Sequence, residues 1–195
     1  MIVCHNTLHV FNTNKTIYFG SYCFKKNTIY CICGPSGCGK STFLAMLADV
    51  ISNKTIVHNF PTKDYIYIPQ RPLLPSFVSL KDSLDLQKRW YYESDFSVVD
   101  FYAKSFSLDC FLYPEQLSGG QLYRSALLVN AIRWQKVLIC DEPFAHQDVN
   151  SAHAIVDYFV SFMQKTNGII IFASHAQEVL CLLQEKNNVE IINLL

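Results

Sequence analysis

The chain contains no long apolar run. Although 50% of its 195 residues are hydrophobic and only 16% are charged, no stretch approaches the roughly 18 to 20 apolar residues that a membrane-spanning helix needs. The first residues also lack a basic segment followed by an apolar one, which is the pattern of a secretory signal. We therefore expect a chain that does not cross a membrane by itself and that works in the cytoplasm.

The sequence also has no excess of charge of either sign. Its 16 lysines and arginines balance 16 aspartates and glutamates, and the pI is near 7.0. A protein that binds nucleic acid normally carries a basic patch or stripe. The balance gives no electrostatic support for a nucleic-acid partner, and we expect none.

Paired cysteine motifs are missing as well. The eight cysteines are scattered without a C-x-x-C pair, so we interpret them as reduced thiols, mostly small core residues, and expect no zinc site. The sequence also shows no repeats, low-complexity tracts or Pro/Gly-rich linkers. A chain of this length without a linker is expected to form one domain.

What the sequence does contain is an alternation of strand and helix patterns. Strands are predicted over residues 2–10, 16–24, 28–33, 55–58, 65–68, 136–140, 168–173 and 189–194. Helices are predicted from residue 39 to about 50, within 73–134 with a last helix over 122–132, over 149–165 and over 177–184. This order predicts a mainly parallel sheet covered by helices on both faces.

A phosphate-binding loop lies between the third strand and the first helix. It matches the pattern G-x-x-x-x-G-K-[ST] and reads Gly34, Pro35, Ser36, Gly37, Cys38, Gly39, Lys40, Ser41 and Thr42. The glycines let backbone N–H groups approach phosphate oxygens, and the start of the following helix favours an anion. Lys40 would add charge at the β- and γ-phosphates, Ser41 would place its hydroxyl on Mg²⁺, and Thr42 would assist at the α-phosphate.

Two carboxylates follow the apolar strand at residues 136–140. Asp141 and Glu142 lie where a strand ends, and carboxylates in such a place are costly unless they hold a metal ion or take part in acid–base chemistry. The alternative is a solvated pair of strand-end acids. Beside a phosphate-binding loop, the pair favours a metal-assisted reaction.

A third motif lies between these two and reads Leu117, Ser118, Gly119, Gly120 and Gln121. Together the three segments resemble the ATP-binding-cassette (ABC) ATPase family. Gln70, Asp148 and His175 also fall in the family's order, so that six ordered motifs cover nearly the whole chain.

The resemblance implies an α/β fold, a P-loop NTPase (RecA-like) core with a mainly parallel sheet, a small antiparallel β-layer and an inserted α-helical subdomain. The core would comprise residues 1–72 and 135–195, and the subdomain residues 73–134. The stretch between Lys40 and Gln70 is shorter than the family usually has, so we expect a trimmed β-layer. The cofactors would be ATP and Mg²⁺, and the activity ATP hydrolysis.

The resemblance also assigns catalytic roles. Glu142 would orient and polarise the attacking water, and His175 would hydrogen-bond the γ-phosphate. Asp141 would hold Mg²⁺ through water, with Ser41 and Gln70 as further metal ligands. Gln70 would also link the site to the transport partner. The catalytic set is Lys40, Gln70, Glu142 and His175.

Residues 118–121 would contact ATP held by a facing cassette, because a motif at a helix N-terminus presents donors to an anion. The site would be complete only when two cassettes close head to tail over two ATP molecules, as a homodimer or a heterodimer. Asp148 would lie in the loop that crosses this interface. Phe11 falls where the family stacks an aromatic ring on adenine, and a core phenylalanine is an equal alternative.

The chain departs from the family pattern in two places. The family's usual Thr-Ser-Ala-Leu-Asp after the carboxylate strand is here replaced by Phe144, Ala145, His146, Gln147 and Asp148. The Ser-Gly-Gly-Gln motif is followed by Leu122, Tyr123 and Arg124 rather than by two polar residues and arginine. These changes affect the predicted contacts across the dimer and leave the ATP site intact.

The resemblance favours the ATP-binding and ATP-hydrolysing subunit of an ABC transporter. It would power a separate transmembrane permease from the inner face of the cell membrane, and the aromatic load of residues 87–113 predicts exposed rings for that partner. The alternative is a soluble, non-transport ABC ATPase that acts on nucleic acid or a protein complex, which the neutral charge disfavours. A P-loop kinase would explain neither the Ser-Gly-Gly-Gln motif nor His175.

Overall fold

The computed structural model describes residues 1–11, 15–90, 97–131 and 134–194. The strands are β1 (Ile2–Phe11), β2 (Lys15–Phe24), β3 (Thr28–Cys33), β4 (Ile56–His58), β5 (Tyr65–Ile68), β6 (Val137–Asp141), β7 (Ile169–Ala173) and β8 (Val189–Asn193). The helices are α1 (Lys40–Leu47), α2 (Leu80–Trp90), α3 (Ser97–Ser105), α4 (Gly119–Ala131), α5 (Val149–Thr166) and α6 (Gln177–Lys186). Short 3-10 helices lie at Thr62–Asp64 and Pro114–Gln116.

The larger sheet has five parallel strands in the order β5-β6-β7-β3-β8. Every residue of β6 and β7 is buried, which explains why both strands are apolar apart from Asp141 at the end of β6. Alternate residues of β7 pack into two different hydrophobic clusters. Ile170 and Phe172 lie on one side of the sheet, and Ile169 and Ile171 lie on the other. The predicted parallel sheet with both faces covered is confirmed.

A smaller antiparallel sheet in the order β2-β1-β4 packs with α1 on one face of the larger sheet. The Phe19 ring of β2 stacks on Phe43 of α1 at a centroid distance of 4.9 Å. The third strand of this sheet, β4, has only three residues. The stretch between Lys40 and Gln70 therefore adds only a short strand to this layer, and its trimming relative to the family stays a prediction.

Helix α1 ends earlier than its apolar spacing predicts. The pattern extends to about Val50, yet the helix stops at Leu47. Asp49 adopts a left-handed φ of 58°, and the N–H groups of Val50 and Ile51 both turn back to the carbonyl of Ala45. This tight turn keeps Val50 exposed, because a left-handed residue cannot continue a right-handed helix.

The region predicted to be helical, 73–134, contains α2, α3 and α4 in its described part. Helix α4 packs against β5 as well as against α2 and α3, and its buried Leu127 and Leu128 belong to the same apolar cluster as Ile170 and Phe172 of β7. The division of the chain into a core and a helical subdomain remains a prediction. Among the described residues, no helix has the length and apolar character to span a bilayer.

The order of the strands determines where the motifs meet. Parallel strands carry their carboxyl ends at one edge of the sheet, and ligands of α/β proteins bind outside that edge. Ile68 is in register with Cys140, and Asp141 with Ala173. The segments that follow β5, β6, β7 and β3 therefore lie side by side.

Candidate functional site

A cavity of about 420 Å³ lies at this edge of the sheet. It is lined by Ile17, Ser36, Gly37, Gly39, Lys40, Ser41, Thr42, Gln70, Glu142 and His175. The structure thus brings the phosphate-binding loop together with three residues that lie 28 or more positions further along the chain. All of these residues except Ile17 were predicted to belong to the site.

The phosphate-binding loop wraps around the Lys40 side chain. Its Nζ donates hydrogen bonds to the carbonyl oxygens of Gly34, at 2.9 Å, and Pro35, at 3.1 Å. Gly39, immediately before α1, has a φ of 98°, and a Cβ there would lie 2.9 Å from Cδ1 of Ile17. Only glycine adopts this conformation without strain and leaves room for the strand β2 beside the loop.

Asp141 is a buried carboxylate with an unused acceptor. It is 2% exposed, and its Oδ1 has no hydrogen-bond partner among the described residues. Burial raises the pKa of this carboxyl, while the nearby Ser41 hydroxyl, the Lys40 charge and the Gln70 backbone N–H oppose the rise. A buried, partly satisfied carboxylate beside a hydroxyl is a donor set of the kind that Mg²⁺ prefers.

Glu142 lies in a strained conformation at the end of β6. Its φ is 52°, a left-handed value that costs free energy for a residue other than glycine. The backbone N–H donates to the carbonyl of Ala173 at 3.2 Å. This turn aims the side chain at the cavity, where Oε1 lies 3.4 Å from Nε2 of His175.

The Ser-Gly-Gly-Gln motif starts α4 as a reciprocal cap. The N–H of Ser118 donates to Oε1 of Gln121 at 2.9 Å, and the N–H of Gln121 donates to Oγ of Ser118 at 3.3 Å. This is the capping-box arrangement with glutamine at the third position. Ser118 and Gly119 are exposed and do not line the cavity at the phosphate-binding loop.

The two glycines of this motif have different surroundings. A Cβ on Gly119 would meet nothing within 4 Å, whereas a Cβ on Gly120 would lie 2.7 Å from the carbonyl oxygen of His146. Gly120 therefore allows a close approach of two backbones, and Gly119 does not serve that purpose within this chain.

The contrast predicts opposite effects of alanine substitution on the stability of the isolated chain. Gly120→Ala should lower the free energy of unfolding, because overpacking costs about 1 to 3 kcal/mol and exceeds the gain of up to about 1 kcal/mol in helix propensity. Gly119→Ala should leave it unchanged or raise it slightly. Urea denaturation of both variants measures this, and equal destabilisation by the two substitutions would contradict the local geometry.

Asp148 forms the N-cap of α5. Its Oδ1 accepts a hydrogen bond from the Ser151 N–H at 2.9 Å, and its Oδ2 accepts one from the Ser151 hydroxyl at 2.7 Å. These bonds hold the pKa of the carboxyl below its usual value. Asp148 is exposed, and its predicted place at a cassette interface stays a prediction.

Ile17 was not among the predicted site residues, and Tyr123 was noted only as a departure from the family pattern. Ile17 lines the cavity beside Gly39, and the alternation of β2, with Phe19 buried and Tyr18 exposed, could have placed it there. Tyr123 donates a hydrogen bond of 3.4 Å from its hydroxyl to the Ile68 carbonyl, close to the glutamine at position 70. The side chain of Phe11 lies outside the described residues, so its predicted stacking role stays a prediction.

A second groove of about 440 Å³ adjoins the first. Gln70 and Glu142 line both cavities, and here they face Gly119 and Tyr123 of α4 together with His146. The start of α4 therefore adjoins the residues that follow β5 and β6.

Comparison with known proteins agrees with this geometry. A sequence model of the ABC transporter family matches residues 20–145. The formylaminopyrimidine import ATP-binding protein ThiZ of Halalkalibacterium halodurans is 28% identical over 173 residues, which cover 85% of this chain and 69% of that protein. The aliphatic sulfonates import ATP-binding protein SsuB of Bacillus cereus is 27% identical over 164 residues, which cover 77% of this chain and 64% of that protein. The chain thus spans about two thirds of the length of these relatives.

A solved structure has the same fold. The ATP-binding cassette MJ0796, in a dimeric post-hydrolysis state bound to ADP and Pi, superposes with a TM-score of 0.80 at 18% sequence identity. The match covers 100% of this chain and 94% of that one. The fold is the P-loop NTPase fold of the ABC ATPases, and the family model covers more than half of the chain. The resemblance seen in the motifs is confirmed: this chain belongs to the ABC transporter family.

Proposed function

We propose that the chain is the ATP-binding and ATP-hydrolysing subunit of an ABC transporter. The observation that carries the proposal is the convergence of Lys40, Asp141, Glu142, Gln70 and His175 at one edge of the sheet. Such a set supplies a phosphate clamp, a metal ligand, a base and a γ-phosphate donor within one site. ATP hydrolysis by the purified chain, alone or with its permease, tests the proposal.

The metal site would be formed by Asp141 and Ser41, with Gln70 close by. The partnerless Oδ1 of Asp141 and the Ser41 hydroxyl at the same carboxylate fit an oxygen-ligated Mg²⁺. Bound Mg²⁺ would neutralise the charge that develops on the phosphate oxygens. Metal binding would also offset the cost of burying the carboxylate.

Glu142 is the base in this proposal. Its turn at positive φ holds the carboxylate over the phosphate-binding loop, where it can orient water and accept its proton. His175, 3.4 Å from Glu142, would donate to the γ-phosphate and keep the carboxylate in position. Lys40, now hydrogen-bonded to two loop carbonyls, would turn to the β- and γ-phosphates when ATP binds.

A second cassette completes the site. The capped start of α4 presents Ser118 and Gly119 to solvent, and neither residue lines the cavity at the phosphate-binding loop of its own chain. A helix N-terminus binds anions well, and a second cassette in head-to-tail orientation would place its ATP there. We therefore propose a dimer that closes over two ATP molecules.

The permease would dock on exposed aromatic rings of residues 73–134. Phe77, Phe101 and Phe111 are 83%, 63% and 71% exposed, whereas Tyr102 and Phe106 are buried in the core. The subdomain therefore carries more aromatic surface than its own packing uses. Exposed apolar rings that adjoin one another mark a contact with another protein. We propose that these three rings together anchor a short helix of the transmembrane partner.

Charged substitutions test this docking surface. Phe101→Glu and Phe111→Glu should shift the protein from the membrane fraction to the soluble fraction and leave nucleotide affinity unchanged, because the rings lie outside the ATP site. Tyr18→Glu is the matched control, since Tyr18 is an exposed aromatic of β2. Membrane fractionation of cells that express the chain with its permease gives the result.

The same experiment distinguishes the transport proposal from the alternative, which is a non-transport ATPase that acts on nucleic acid or a protein complex. A protein that stays in the soluble fraction, with no membrane subunit in pull-downs, would overturn the transport proposal and favour that alternative.

A further inference from the structure

Gln147 is one of the residues at which this chain departs from the family, which has leucine there. Its side chain lies between the loop that follows Glu142 and the first turns of α4. The amide oxygen accepts a hydrogen bond from Nη1 of Arg124, and the amide nitrogen donates to the carbonyl of Gly120 at 3.4 Å. A leucine could form neither bond.

This amide is one of two acceptors that the Arg124 guanidinium has among the described residues. The guanidinium belongs to a residue that is 6% exposed, and burial lowers its pKa against the opposing field of Asp148. Its Nε donates to the carbonyl of Phe106 at 2.9 Å, and no carboxylate is hydrogen-bonded to it among the described residues. Removing a partner from a buried charge strongly destabilises the folded state. Loss of the Gln147 amide should therefore cost more stability than loss of an exposed amide.

Gly120 brings the two segments into direct contact. An added Cβ would lie 2.7 Å from the His146 carbonyl, 3.1 Å from Oε1 of Gln147 and 3.3 Å from Nη1 of Arg124. The absence of a side chain at Gly120 thus lets the loop and α4 approach closely enough for both amide bonds.

We propose that Gln147 is a positioning residue that fixes the Ser-Gly-Gly-Gln motif to the loop carrying Glu142. The inference rests on the proposed function in one respect: the positioned motif acts on ATP of a second cassette. Loss of Gln147 would then impair the ATP contacts made by Ser118 and Gly119, although its own hydrogen bonds go to Arg124 and Gly120. Its amide holds Arg124 and Gly120 in place. Both residues belong to the first turns of α4, so they fix the position of Ser118 and Gly119 at the start of that helix.

The first test does not require ATP hydrolysis. In Gln147→Leu, amide hydrogen exchange of residues 117–122 should become several-fold faster, because the start of α4 loses both amide contacts. Exchange in α1 and β7 should stay as in the original chain. Gln164→Leu, which changes an exposed glutamine of α5, is the matched control and should alter neither region. Unchanged exchange at 117–122 in Gln147→Leu would overturn the proposal.

Gln147→Glu distinguishes a positioning role from general destabilisation. A carboxylate still accepts from Arg124 but cannot donate to Gly120, so exchange at 117–122 should lie between that of the original chain and that of Gln147→Leu. A uniform increase across the whole chain in both variants would mean that Gln147 serves only folding, and the proposal would be wrong.

The second test measures turnover and nucleotide affinity separately. Gln147→Leu should lower kcat about ten- to a hundredfold, because a displacement of about 1 Å in a positioned group can cost that much. Affinity of the monomer for a fluorescent ATP analogue should change less than twofold. A fall in affinity with unchanged kcat would contradict the role. If the original chain hydrolyses no ATP, the proposed function fails while the exchange result still decides the placement of Gln147.

Discussion

Glu142→Gln should abolish ATP turnover while leaving ATP bound. The amide keeps the shape of the side chain and its place near His175, but it cannot take the proton of the attacking water. General-base catalysis accelerates a reaction about 10²- to 10⁴-fold. We therefore expect kcat to decrease by about that factor. Steady-state hydrolysis and equilibrium binding of ATP measure the two quantities.

The same variant should accumulate as a closed dimer with Mg-ATP, because in the proposed cycle the dimer closes before hydrolysis and reopens after it. Size-exclusion chromatography with and without nucleotide detects this species. Glu185→Gln, at an exposed position of α6, is the matched control and should behave as the original chain. A monomeric Glu142→Gln protein with unchanged hydrolysis would exclude Glu142 as the base.

Asp141→Asn should have opposite effects on activity and on stability. Replacing a carboxylate that holds metal through water lowers metal affinity or activity about 10- to 100-fold. The metal-free protein, by contrast, should melt at a higher temperature, because the neutral amide avoids the burial of a charge whose acceptor Oδ1 has no partner among the described residues. Thermal unfolding without Mg²⁺ and ATPase assays with it report the two effects.

The effect of Asp141→Asn on stability should also depend on pH. Because the pKa of Asp141 is raised in the folded chain, the folded state binds the proton more readily than the unfolded state. Burial of the ionised carboxylate therefore lowers the free energy of unfolding by its full amount at pH values above the raised pKa. This loss of stability disappears as the pH falls through 3.8, the ordinary pKa of an aspartate. The stability advantage of Asp141→Asn should shrink over the same interval.

Asp100→Asn provides a control for the charge change alone. Asp100 is an exposed residue of α3, and its replacement should leave metal-dependent activity intact. If Asp141→Asn kept full activity, Asp141 would not be a metal ligand. If it lowered the melting temperature of the metal-free protein, the buried charge would be stabilised in a way that the described contacts do not show.

The sequence by itself determined the elements and the family. The runs at β6 and β7 are apolar at every position except Asp141 at the end of β6, and the helical spacing within 149–165 is clear. The predicted bounds of these elements therefore differ from the observed ones by one residue. The motifs around Lys40, Ser118 and Glu142 are also local, because each depends on neighbours within a few positions. Such patterns can be read without knowing which strands pair.

The tertiary structure decided how these local patterns meet. The strand order β5-β6-β7-β3-β8 places Gln70, Glu142 and His175 beside the phosphate-binding loop, and no spacing in the sequence specifies that order. The left-handed turn at Glu142 also depends on a hydrogen bond to Ala173 of a neighbouring strand.

The contacts of Gln147 are the clearest example of an arrangement that the sequence alone does not specify. In the sequence it is a glutamine where the family has leucine, and that departure only put the contacts across the dimer in question. The structure joins it to Arg124, 23 positions away, and to Gly120, 27 positions away. The free energy of a buried guanidinium depends on which acceptors reach it, and that is decided by the packing of α4 against the loop after β6 rather than by either segment alone.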